Sequence, residues 1–145
     1  MIIKNTKKGF TLIELLMVVV IIVILATIVI ISIREATDRG KNTKIITSMV
    51  QIRKLSEDMY LQRSDGYDQL CDAGNTLNET YSNQLQILEE DINSFAGTNP
   101  TCYSSDSSYC VSVQLVDEDW FCIDDNGNNE QVSSNPCSVA TSTCR

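Results

Sequence analysis

The sequence predicts an α+β fold. It should have one long N-terminal helix, membrane-spanning in its first half and amphipathic in its second, packed on a small antiparallel β-sheet with a disulfide-held C-terminal region. Three observations lead there. An apolar run from Phe10 to Ile33 carries a single charge, Glu14. Ile45, Met49, Ile52, Leu55 and Met59 then recur at steps of four and three, which lines up one face of a helix. Six cysteines, at 71, 102, 110, 122, 137 and 144, all follow this helical stretch, in the part of the chain where the hydrophobic period changes from helical to alternating.

Residues 1–9 form a short basic leader containing Lys4, Lys7, Lys8 and Gly9. Residues 10–33 follow as an apolar segment; as a helix they measure roughly 36 Å, enough for about 30 Å of hydrocarbon. A cleaved secretory signal has an apolar core of about 7–15 residues with a small-x-small site behind it. This run is longer, and its far end lacks such a site, so the segment is expected to stay. Lysines before the span and Arg34, Arg39, Lys41 and Lys44 after it nearly balance the positive-inside count. The cysteines decide the orientation, because disulfides form outside the cytoplasm.

Residues 34–62 continue the helix with one apolar face, giving roughly 80 Å of helix from Phe10 to Gln62, with Gly40 as a soft point. Residues 63–145 make an extracytoplasmic head. It opens with the turn sequence Arg63–Asp68. The connecting region 63–108 holds one short helical pattern, Tyr81, Leu85, Leu88, Ile92 and Phe95, closed by Gly97 and Pro100. A β-hairpin spans 109–124, with Val113 expected opposite Ile123, Leu115 opposite Phe121, and Asp117–Asp119 as the turn. In that register Cys110 and Cys122 are not partners. The remainder, 125–145, reads as a C-terminal loop.

The totals exclude several functions. A net charge of −8 and no basic stripe in the second half argue against nucleic acid. The absence of histidine removes Cys-His and Ser-His nucleophile pairs, and no other paired catalytic spacing appears, so no enzyme activity is expected. The cysteine spacings lack the close C-x-x-C pairs of zinc sites and read as three disulfides. Six cysteines allow 15 pairings; Cys137–Cys144 is the one local closure the spacing suggests.

Glu14 is the residue that needs a reason. A carboxylate inside a bilayer costs about 2.5–3.5 kcal/mol on the lenient insertion scales. The run Lys7-Lys8-Gly9-Phe10-Thr11-Leu12-Ile13-Glu14, followed by an apolar helix, resembles the class III signal of bacterial type IV prepilins and type II secretion pseudopilins. The resemblance implies a pilin-like lollipop fold. It also implies cleavage after Gly9 by a prepilin peptidase that reads the Lys7-Lys8 leader, and N-methylation of Phe10. The chain would be held in the inner membrane, in contact with lipid and with its C-terminus outside the cytoplasm. An assembly platform and ATPase would then polymerise it, with identical subunits and minor pilins or pseudopilins, into a periplasmic pseudopilus or a cell-surface pilus. Glu14 would meet the cationic Phe10 amine of a neighbouring subunit, two charges costly alone and neutral together. The rival class is a membrane-anchored extracytoplasmic binding module that never polymerises, which predicts an intact Met1 terminus.

No cofactor is required by this reading. Asp124, Asp125, Asn126, Asn128 and Glu130 are hard oxygen donors of the kind calcium takes, although Asn129 and Asn135 break the EF-hand pattern. Major pseudopilins carry a calcium site in their C-terminal loop region, so the resemblance adds weight to this set. A solvated Asn-Gly turn is the alternative.

Overall fold

A computed structural model describes residues 9–62, 66–78, 82–138 and 143–144. Lys7 and Lys8 of the leader, the Arg63–Asp65 start of the expected turn, and Tyr81 lie outside them. Helix α1 (Leu12–Gln62) runs unbroken through Gly40. Helix α2 is Asn83–Ala96, and the strands are β1 (Thr101–Ser104), β2 (Tyr109–Gln114), β3 (Trp120–Asp124) and β4 (Asn129–Val132). They form one antiparallel sheet in the order β1-β2-β3-β4. The chain divides into two compact units, 1–37 and 38–145. Its α+β class agrees with the sequence. In the first unit, the apolar side chains of α1 are exposed, and the helix is long and apolar enough to cross a membrane.

The core belongs to the second unit. Ile45, Met49 and Ile52 of the expected stripe are fully buried, with Leu55 and Met59 packed at the margin. They join Val111, Val113, Leu115, Phe121 and Ile123 in one cluster. The hairpin register is two residues away from the expected one: Val111 faces Ile123, and Val113 faces Phe121. The turn explains the shift. It closes one residue earlier than the acidic run suggested, with Leu115 N–H donating to Asp119 O (2.7 Å) and Glu118 N–H to Leu115 O (3.2 Å). A slip of two keeps the same side chains on the same face, so the core survives it. Asn42 Oδ1 then takes the Val116 N–H (2.9 Å), tying the end of β2 to α1.

α2 begins at Ser82, whose hydroxyl accepts the Gln84 N–H, and ends at Gly97. Leu85, Leu88 and Ile92 are buried as the pattern requires; Phe95 keeps 37% of its surface exposed, and Glu89 is buried beside them. Phe95 lies on the last turn of the helix, where the apolar face runs out.

Two strands fall where the sequence reading had none, β1 in the connecting region and β4 in the C-terminal loop. Neither alternates in hydrophobicity; their burial patterns are mostly partial or exposed. Both are edge strands recruited by pairing with β2 and β3, which propensity alone does not report.

The segment after α1 is seated on the β1–β2 turn. Gly66 has φ +59°, and a Cβ built there would lie 1.6 Å from the Asp106 carbonyl oxygen. The neighbouring Tyr67 N–H donates to that same oxygen (3.3 Å). Gly66→Ala should therefore force the two segments apart and cost about 1–3 kcal/mol, read as a lower midpoint in denaturant unfolding.

Tyr67 then stacks on Tyr60 and meets Tyr109 at a tilt of 58°, both ring pairs with centroids 4.7 Å apart. Burial pushes the Tyr109 phenol up to about 12 from 10.0, with Glu57 and Tyr67 adding to the shift and Ser56 and Arg53 opposing it. The folded chain thus holds this proton more tightly than the unfolded one. The stabilisation is complete below pH 10 and is lost as the pH rises towards 12. Thermal unfolding across that window should show the midpoint falling steeply, and Tyr109→Phe should flatten the fall.

Candidate functional site

The first turn of α1 is a closed hydrogen-bonded unit. Thr11 sits one residue ahead of Leu12, and Glu14 three residues after Thr11. The Thr11 N–H donates to Glu14 Oε2 (2.9 Å), the Thr11 hydroxyl donates to the same oxygen (2.7 Å), and the Glu14 N–H donates to Thr11 Oγ1 (3.3 Å). This is a reciprocal capping box, which satisfies N–H groups that a helix start otherwise leaves without partners. The carboxylate also stands at the positive end of the helix dipole. Sequence reasoning missed Thr11. The signal was there, because Ser/Thr-x-x-Glu before an apolar run marks such a cap.

Gly9 and Phe10 precede this unit, and Phe10 is 78% exposed. A Cβ at Gly9 would meet nothing within 4 Å. Among the described residues, then, no neighbour demands a glycine there. Gly9 and Phe10 precede Leu12, the first helical residue, and Glu14 lies in the first turn of α1, whereas Lys7 and Lys8 lie outside the described residues.

The six cysteines form three disulfides: Cys71–Cys102, Cys110–Cys137 and Cys122–Cys144. Cys137–Cys144, the local closure, is not formed. Cys110 and Cys122 occupy one face of the β2–β3 pair, the face opposite the helix core. Each takes a cysteine of the tail, so the tail is fastened to two strands. Cys71–Cys102 ties the loop before α2 to β1, where Cys102 N–H donates to Asn75 O (2.8 Å). Sequence separations of 31, 27 and 22 place each bond at about 3–4 kcal/mol in the chain-entropy account.

Asp124 shares the sulfur-bearing face and is fully buried. Its Oδ1 accepts the N–H groups of Asn126 (3.1 Å) and Asn128 (2.9 Å); its Oδ2 accepts Asn128 Nδ2 (2.9 Å) and the Cys144 N–H (3.0 Å). The Arg53 guanidinium donates to Gly127 O (3.1 Å). Asn126 and Glu130 face solvent, Glu130 being in β4. Asp125 Oδ1 is buried without a hydrogen-bond partner, too little for a cage of about six to eight oxygens. The five residues named for calcium are therefore not gathered into a cage in this structure. The one buried carboxylate is turned to N–H donors, and a guanidinium already sits on the turn. Unfolding midpoints in millimolar calcium and in chelator should coincide.

Residues 4–30 match the family model of the prokaryotic N-terminal methylation motif. No curated protein and no solved structure matches the chain.

Proposed function

Carrying at residues 4–30 the class III prepilin signal of type IV pilins and pseudopilins, the chain is, we propose, a structural subunit of a type IV pilus or type II secretion pseudopilus. It is processed between Gly9 and Phe10 by a prepilin peptidase, held in the inner membrane through α1, and polymerised there by an assembly platform and ATPase. The supporting observation is Glu14 in the first turn of an apolar helix, directly behind the Gly9-Phe10 junction. Among the described residues, both donors to its carboxylate converge on Oε2; in the proposed filament Oε1 faces a second chain.

The chemistry follows from charge. Cleavage after Gly9 gives Phe10 a cationic amine. In a helical stack this amine of an incoming subunit reaches the Glu14 carboxylate of a subunit already in place. A buried pair of this kind loses about 3–5 kcal/mol when one partner is removed, so a helix out of register is rejected. The subunit performs no reaction itself; cleavage, methylation and extraction belong to its partners. Mass spectrometry of the mature protein should find a chain that begins at N-methyl-Phe10. Ordered fibres built from a chain that keeps residues 1–9 would overturn the reading.

A further inference from the structure

The sulfur cluster carries an inference independent of filament assembly. Cys110, Cys122 and Cys137 are buried together, their three sulfurs within 4.8 Å of one another. Cys122 Sγ lies 3.6 Å from Cys110 Sγ and 3.7 Å from Cys137 Sγ. All belong to disulfides and bear no proton, so these are contacts between two neighbouring bonds. A zinc ion with four thiolates at about 2.3 Å has ligand sulfurs about 3.8 Å apart. Two edges of such a tetrahedron are thus already in place. The Cys110–Cys137 edge opens when its bond is reduced; Cys144, bonded to Cys122 and outside the three-sulfur group, swings in as the fourth ligand once its own bond opens.

Each tail cysteine is also held by a hydrogen bond that does not involve its sulfur. Cys144 N–H is held by Asp124 Oδ2. Cys137 N–H donates to Asn135 Oδ1 (3.1 Å), which also accepts the Ser112 hydroxyl of β2 (2.7 Å). The strand cysteines are fixed by the β2–β3 ladder. Tyr103 packs on the cluster and helps to exclude water. The C-x-x-C spacing that zinc sites show in sequence is replaced here by strand pairing and a returning tail.

We propose that the dithiol form of this head binds one zinc ion through Cys110, Cys122, Cys137 and Cys144. Metal and disulfides are then alternative fasteners for the same tail. A phosphine reductant opens the two bonds, each taking two electrons and two protons from phosphine and water and leaving phosphine oxide. Zinc binding then releases the four thiol protons. The ligand class is a borderline-soft tetrahedral cation, for which thiolates select.

Cobalt(II) tests the site by its colour. Full-length protein in detergent, reduced anaerobically and freed of phosphine, should develop thiolate charge-transfer and tetrahedral ligand-field bands that saturate at one equivalent and vanish on adding zinc. The Cys71→Ser/Cys102→Ser variant should keep the bands, and Cys110→Ser/Cys122→Ser should lose them. Absence of bands in the reduced wild type would overturn the proposal without recourse to any variant. Bands that survive in Cys110→Ser/Cys122→Ser, or that appear in unreduced protein, would do so too.

Discussion

Glu14→Val and Glu14→Gln should both insert into the membrane and fold their heads normally, yet neither should assemble filaments at more than a small fraction of the wild-type yield. The pair separates the capping role seen for this side chain from the charge role proposed for it. Glutamine serves in a capping box as glutamate does, because its side-chain oxygen can accept the same Thr11 donors. Valine accepts nothing. If Glu14 mattered only for the first turn of α1, glutamine would restore assembly and valine would not. The charge reading predicts failure of both, because a neutral amide leaves the neighbour's Phe10 amine buried without a counter-charge. Electron microscopy of sheared filaments, beside immunoblots of the membrane fraction, gives the readout. Normal filaments from Glu14→Gln would reassign the residue to helix capping alone.

Asp124→Ala should destabilise the head by about 3–5 kcal/mol, roughly 10–25 °C in melting midpoint for a unit of this size. One fully buried carboxylate serves four donors drawn from two places, the β3–β4 turn and the end of the tail. Hydrogen bonds to a charged acceptor contribute about 1.5–3 kcal/mol each, and a buried N–H left alone keeps its full desolvation cost. The Cys122–Cys144 bond still holds the tail nearby, which bounds the loss. Asp124→Asn should fall between, since one oxygen still accepts while the amide nitrogen turns a donor towards donors. Proteolysis should report the same order, with the tail cut first in the alanine variant. A midpoint within about 1 °C of wild type for Asp124→Ala would show that the network contributes little.

The parts of this fold that repeat with a period were legible in the sequence. Ile45, Met49 and Ile52 announced their buried face, and Val111 to Val113 and Phe121 to Ile123 announced a hairpin. What escaped was set by contacts between segments distant in the chain. β1 and β4 are edge strands without an alternating pattern, so only their neighbours define them. The tail pairing was invisible for the same reason. Cys137 and Cys144 are close in sequence, but the sheet face between them offers Cys110 and Cys122, and the tail lies across it. Asp124 looked like a cation ligand because spacing shows which oxygens are near, and not which N–H groups have reached them first. The capping partner of Glu14 was different. Thr11 was readable, but Glu14 drew notice for its charge within the membrane span rather than for its place at a helix start.

The placement of that cap bears on maturation. Thr11 and Glu14 both follow the Gly9-Phe10 junction, and the first bond of the α1 backbone, Leu15 N–H to Thr11 O, also lies wholly beyond it. Removing the first nine residues therefore leaves each of these described bonds at the helix start intact. Under the proposed processing, the cut changes the charge at the head of α1 and spares its Thr11–Glu14 cap.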